Sequence, residues 1–183
     1  MKTEIIISGF GGQGIMLAGT VLCNAGMKQG KFVTFFPSYG AEMRGGTANC
    51  QVIISDELIG NPIVYKPDIL LAFNKPSFDK FLPYVKDSGC IFVNSSLYKP
   101  EKINNIEIIE VPANNIAEEC GSALVLNMVM LGAMAGNKNI LDINNILEVI
   151  PEVLTESKKK FWDLNKQAVE LGFKTSNTFL AGT

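Results

Sequence analysis

Residues 4–8, EIIIS, pass straight into GFGGQG and then into an apolar helical pattern, IMLAGTVL. A strand that runs through glycines into a helix is the opening unit of an α/β sheet, and it fixes much of what can follow. Gly9, Gly11 and Gly14 satisfy G-x-G-x-x-G. Such a loop turns backbone N–H groups toward an anion, and the helix dipole adds partial positive charge. A phosphate is the natural ligand class.

The remaining pattern agrees with that opening. Residues 4–8, 32–36, 49–55, 68–73, 90–94 and 106–111 read as strands. Most are continuous runs of Ile, Val, Leu and Phe, as in a sheet buried on both faces. Helices are expected over about residues 13–29, 77–86 and 115–136, the last opening on a capping box at Asn115–Glu118 and apolar almost all round beyond Ser122. Such a helix belongs to the domain core or to a subunit interface. The fold class expected is α/β: a Rossmann-like open, mainly parallel sheet flanked by helices, with a C-terminal helical segment broken at Pro151. Residues 1–183 form one domain in this reading, with a core over about 4–136 and the helical segment over about 142–172.

A dinucleotide loop needs an acid near the end of the second strand for the ribose hydroxyls. Here that strand ends Phe35-Phe36-Pro37-Ser38, with no acid. The Lys-Ser/Thr ending of a nucleotide triphosphate loop is absent too. Another phosphate-bearing ligand, a turn needed only for packing, and close contact with a partner's backbone all stay open. The second unusual stretch is PSYGAEMRGGTANC, residues 37–50. It places Ser38, Tyr39, Glu42 and Arg44 among Gly40, Gly45 and Gly46, where α/β proteins place ligands. The candidate binding residues are therefore Gly9, Gly11, Gly12, Gln13 and Gly14 in the first loop, and Ser38, Tyr39, Glu42, Arg44, Gly45 and Gly46 in the second.

Composition narrows the chemistry. Net charge is −2 and basic residues do not cluster into a nucleic-acid footprint. The longest apolar run, residues 123–135, is too short to span a bilayer. There is no histidine, and Cys23, Cys50, Cys90 and Cys120 have no C-x-x-C spacing. A metal or iron–sulfur site held by this chain alone is not expected. Four reduced thiols and an N-terminus that enters a strand at once predict a cytoplasmic protein without a signal peptide. With no base, nucleophile elbow or carboxylate pair, the chain reads as incomplete for catalysis, and no catalytic residue is assigned.

GFGGQGIMLAGTVL, PSYGAEMRGGTANCQVIIS, PDILLAFN and GCIFVNSSL, in that order, resemble the gamma subunit of 2-oxoacid:ferredoxin oxidoreductases. The likeness covers about residues 5–131, and SYGAEMRGGTANC is most similar to the 2-oxoglutarate branch. The resemblance implies a subunit inactive alone, partnered by alpha, beta and delta subunits that hold thiamine diphosphate, magnesium and iron–sulfur clusters, with ferredoxin as electron acceptor. It implies that GFGGQG faces coenzyme A at a shared site, or the partner subunits around it. A homodimer is among the partner expectations, and the alternative functions are a free-standing dinucleotide- or flavin-binding oxidoreductase domain or a purely structural subunit.

Overall fold

The computed structural model describes residues 1–39, 47–154 and 161–180. Its elements follow one another as β1 (Lys2–Phe10), α1 (Ile15–Lys28), β2 (Phe32–Tyr39), β3 (Thr47–Ser55), β4 (Ile69–Ala72), α2 (Lys75–Phe81), β5 (Cys90–Asn94), β6 (Glu107–Val111), α3 (Ala113–Glu119), α4 (Leu126–Lys138), α5 (Ile143–Val153) and α6 (Trp162–Leu180). Among the described residues the strands form one six-stranded sheet in the order β2-β3-β1-β4-β5-β6. β1, β4, β5 and β6 are parallel neighbours, whereas β3 runs antiparallel to both β1 and β2. The sheet is thus mostly parallel, as expected, with one reversed strand inserted beside β1.

Alternation along the strands sorts the core into two layers. Ile5, Ile7, Val52, Ile54, Leu71 and Phe92 pack on the face that carries α1 and α4, and side chains of α5 and α6 join the same cluster. Ile6, Ile53, Leu70, Ala72, Ile91 and Val93 pack on the opposite face, with Phe78 of α2. Period-two alternation with both faces covered explains the unbroken apolar runs. α1 closes at Gly30 in a Schellman motif: the Lys31 N–H donates to the Gly26 carbonyl at 3.0 Å and the Gly30 N–H to Met27 at 2.9 Å.

The expected helix over residues 115–136 is two helices. α3 starts earlier, after Pro112, so Asn115–Glu118 is not its cap. Gly121, with φ 97°, breaks the chain, and the Ser122 hydroxyl restarts it by accepting from the Leu124 N–H at 3.3 Å. α4 is buried along its whole length up to Gly136, so it is domain core. Exposed apolar side chains lie elsewhere, including Phe32 and Phe36 on the uncharged edge strand β2. Pro151 sits in the last turn of α5 and does not break it, and α6 extends beyond residue 172 to Leu180.

α4 and α6 cross at two glycines. A Cβ on Gly132 would overlap the Val169 carbonyl, and one on Gly172 would overlap the Val129 carbonyl. Backbone therefore meets backbone there, and the crossing holds the start of α6 close to the start of α4.

Candidate functional site

The carboxyl ends of β1, β4 and β5 gather the polar groups of the site. GFGGQG leaves β1 at this edge and enters α1. Each glycine answers a different need. A Cβ on Gly9 would lie 2.6 Å from Gln13 Oε1 and 2.7 Å from Ile15 Cδ1. Gly14, the N-cap of α1, has φ 74°, and its Cβ would lie 2.5 Å from Asn127 Nδ2. Gly12 has φ 94°, a left-handed value that an L side chain resists. Gly11 has no positive φ, and a Cβ built there meets nothing within 4 Å.

Two side-chain amides brace the loop. Gln13 folds back so that Oε1 accepts from the Phe10 N–H at 2.7 Å and from Asn74 Nδ2 at 3.1 Å. Asn74 follows β4 and caps α2, its Oδ1 accepting from the Ser77 N–H at 2.9 Å. On the other side, Asn127 Nδ2 donates to the Gly14 carbonyl at 3.1 Å. Among the described residues no side chain caps α1, and its first turn carries no acid. Its leading N–H groups stay open to an acceptor.

The loop stands between two hollows. One, of about 240 Å³, is lined by Gly12, Gly14, Leu17, Leu124, Asn127 and Phe161 among others. The other, of about 300 Å³, runs along Phe10, Gly11, Gly12 and Met16 to Ala48. Leu124, at the rim of the first, is 72% exposed.

The paired ends of β2 and β3 lie at the same edge. Thr47 pairs with Phe10, and Ala48 lies in register between Gly9 of β1 and Tyr39 of β2. Ser38, half-buried, pairs with Asn49. Tyr39 and Thr47, which flank residues 40–46, therefore lie beside the glycine loop. Glu42, Arg44, Gly45 and Gly46 themselves, and the Tyr39 side chain, lie outside the described residues.

The same topology argues against a dinucleotide. The ribose-binding acid belongs on a strand next to β1. Here β3 occupies that place, and the end of β2 is two strand spacings away, about 9.6 Å. The cysteines offer no nucleophile: all four are buried, and burial pushes Cys23, Cys50 and Cys90 up to about 12. Among the described residues no His/Cys/Asp/Glu group could hold a metal ion, and no helix is long and apolar enough to cross a membrane.

Sequence reasoning missed Asn74 and Asn127 as parts of this site. Asn74 precedes Lys-Pro and so carries a helix-cap signal. Asn127 is the one polar residue in LVLNMVML, and that interruption was its only signal.

A mostly parallel α/β sheet with a glycine loop at the carboxyl end of β1 sets the class of protein. The chain belongs to the pyruvate ferredoxin/flavodoxin oxidoreductase family, whose model matches residues 4–175. It is 38% identical over 160 residues to the 2-oxoglutarate synthase subunit KorC of Methanocaldococcus jannaschii, covering 83% of this chain and 86% of that one. It is 36% identical over 182 residues to the ketoisovalerate oxidoreductase subunit VorA of Methanothermobacter marburgensis, covering 99% of this chain but only 38% of that longer protein. The crystal structure of a keto/oxoacid ferredoxin oxidoreductase gamma subunit from Geobacter sulfurreducens superposes with a TM-score of 0.82 at 31% identity, over 96% of this chain and 99% of that one.

Proposed function

We propose that the chain is the gamma subunit of a thiamine-diphosphate-dependent 2-oxoacid:ferredoxin oxidoreductase, with 2-oxoglutarate as its 2-oxoacid. In this reading alpha, beta and delta subunits hold the thiamine diphosphate, magnesium and iron–sulfur clusters and pass electrons to ferredoxin. Thiamine diphosphate supplies the decarboxylation, and coenzyme A takes the acyl group. This chain's share is to present its glycine loop to the phosphates of coenzyme A: the open N–H groups around Gly11, Gly12 and Gly14 bind, and Arg44 adds a charge-assisted bond from the adjoining segment. The 2-oxoglutarate choice is supported by SYGAEMRGGTANC and by the similarly long KorC relative. The VorA relative matches over more of this chain, 182 residues at 36%, and a pyruvate synthase subunit PorC from the same organism matches at 30% over 175, so substrate assays decide among the three acids.

One observation carries the ligand reading. Among the described residues neither the backbone nor any neighbour requires a glycine at position 11, and that open space beside the loop is what supports a ligand's approach. The experiment is to tag the chain, purify what accompanies it, and compare Gly11→Ala with the parent in the assembled enzyme. The expected result is a KM for coenzyme A raised about tenfold, the scale of one lost bond to a charged group, with an unchanged unfolding midpoint and a smaller effect on the 2-oxoacid. An intact complex whose coenzyme A dependence ignores Gly11→Ala makes the loop architectural. A chain that purifies without partners overturns the subunit reading.

A further inference from the structure

The amide of Gln13 has one orientation. Both groups facing its Oε1 are donors, the Phe10 N–H at 2.7 Å and Asn74 Nδ2 at 3.1 Å. Flipping the amide would set an NH₂ group against two N–H donors. The lone pairs of Oε1 are thus engaged, and the two Nε2 hydrogens are what the side chain has left to offer. Among the described residues none accepts from them. Asn74 is itself held, 3% exposed, because its Oδ1 caps α2 through the Ser77 N–H. Asn127, 1% exposed, lines the hollow beside Gly12 and Gly14 and braces the loop from its other side, its Nδ2 donating to the Gly14 carbonyl while its Oδ1 has no hydrogen-bond partner among the described residues.

We infer that Asn74 is a positioning residue that fixes Gln13 as an N–H donor to the phosphate-bearing ligand at the glycine loop. This rests on the coenzyme A reading above and assigns the loop's selectivity for an anion to a side chain as well as to the backbone. Asn74 touches no ligand; it acts through Gln13. The arrangement is preorganised, since the amide needs no reorientation when the ligand arrives.

Two substitutions separate this from a structural role. Gln13→Glu keeps an oxygen for both internal hydrogen bonds and replaces the outward NH₂ by a carboxylate oxygen. Asn74→Asp keeps the helix cap and replaces the donor to Gln13 by a charged acceptor, and Asn74→Ser, which removes the donor without adding charge, is measured beside it as the control for charge. All three are made in the assembled enzyme, with coenzyme A as the varied substrate and the unfolding midpoint as control. Gln13→Glu is expected to raise the KM for coenzyme A more than tenfold and Asn74→Asp about threefold, with kcat at saturating coenzyme A within about twofold and the midpoint unchanged. If both variants keep the parent KM while Gly11→Ala raises it, the ligand reading stands and the Gln13–Asn74 inference falls. If Gly11→Ala is also silent, both fall. A fall in kcat that tracks a fall in midpoint makes the pair structural and overturns the inference. Should Gln13→Glu not assemble, Asn74→Asp decides alone: a KM within twofold of the parent overturns it.

Discussion

Gly11 and Gly14 are three residues apart in one motif and answer to different forces. Alanine at Gly14 would have to hold a left-handed φ of 74° with its Cβ 2.5 Å from Asn127 Nδ2. Gly14→Ala is expected to lower stability by about 1–3 kcal/mol, from backbone strain and crowding together. Gly11→Ala should stay within about 0.5 kcal/mol of the parent, as an unhindered surface change does. Urea denaturation of the two variants checks both values, and a Gly14→Ala midpoint equal to the parent's would contradict the geometry. The spacing G-x-G-x-x-G cannot separate these glycines. What a Cβ at Gly14 would meet depends on Asn127, far along the chain. The sequence showed where the loop is and left each residue's task to tertiary structure. The same holds for Gln13: it sits within the motif, but its brace, Asn74, is brought in by β4.

Between elements, the α4–α6 crossing reverses a familiar rule. Alanine usually outdoes glycine in a helix, by about 1 kcal/mol. Gly132 and Gly172 instead face the carbonyls of Val169 and Val129 at backbone contact, so a methyl group has no room. Gly132→Ala is expected to cost about 2–4 kcal/mol, as overpacking with a backbone shift does, and calorimetry should show a clear fall in the melting midpoint. A rise would mean that the helices do not cross there. All six strands were legible as apolar runs, and in β1, β3, β4 and β5 burial on both faces is what leaves those runs nearly unbroken. The division of residues 115–136 was not, because the apolar pattern continues across Gly121 while the backbone there turns left-handed. Neither was the crossing, since glycine inside a helical run reads as a weak spot until its partner helix is known.

Across the whole molecule the two edges of the sheet differ in chemistry. The amino-terminal edge is laced with charge. Lys86 Nζ bridges Glu4 and Asp68 at 2.8 Å each, Lys2 pairs with Glu4 at 2.7 Å, and Lys31–Asp56 and Lys138–Glu107 close the neighbouring strands. The carboxyl edge around β1, β4 and β5 is held by neutral amides: Gln13, Asn74, Asn94, Asn114 and Asn127. Acid should therefore weaken the frame through the first edge. Burial alone would raise the Glu4 pKa, but the Lys2 and Lys86 ammonium groups outweigh it and hold it below its ordinary 4.5. A depressed carboxyl contributes stability above its unfolded pKa, and that stability drains away as pH falls through the folded value. Burial would lower the Lys86 pKa, yet Asp68 and Glu4 keep it above 10.5, so the lysine's share persists below that pH and is lost on the alkaline side. Urea midpoints taken from about pH 7 down to pH 3 should fall, and Glu4→Gln should flatten the curve. A parallel acid limb in the variant would remove Glu4 from the account.

The reversed strand has an evolutionary consequence. Residues 40–46 join two strands whose ends, Tyr39 and Thr47, are already locked by registry with Ala48 and Phe10. The scaffold beneath that join is settled by Val52, Ile53 and Ile54, which are buried with no exposure at all. A lineage can rewrite the short stretch between the anchors, with its glutamate and arginine, while leaving the foundations of the domain undisturbed. The join and the foundations beneath it are thereby separable, as in a tool with a fixed handle and an exchangeable bit.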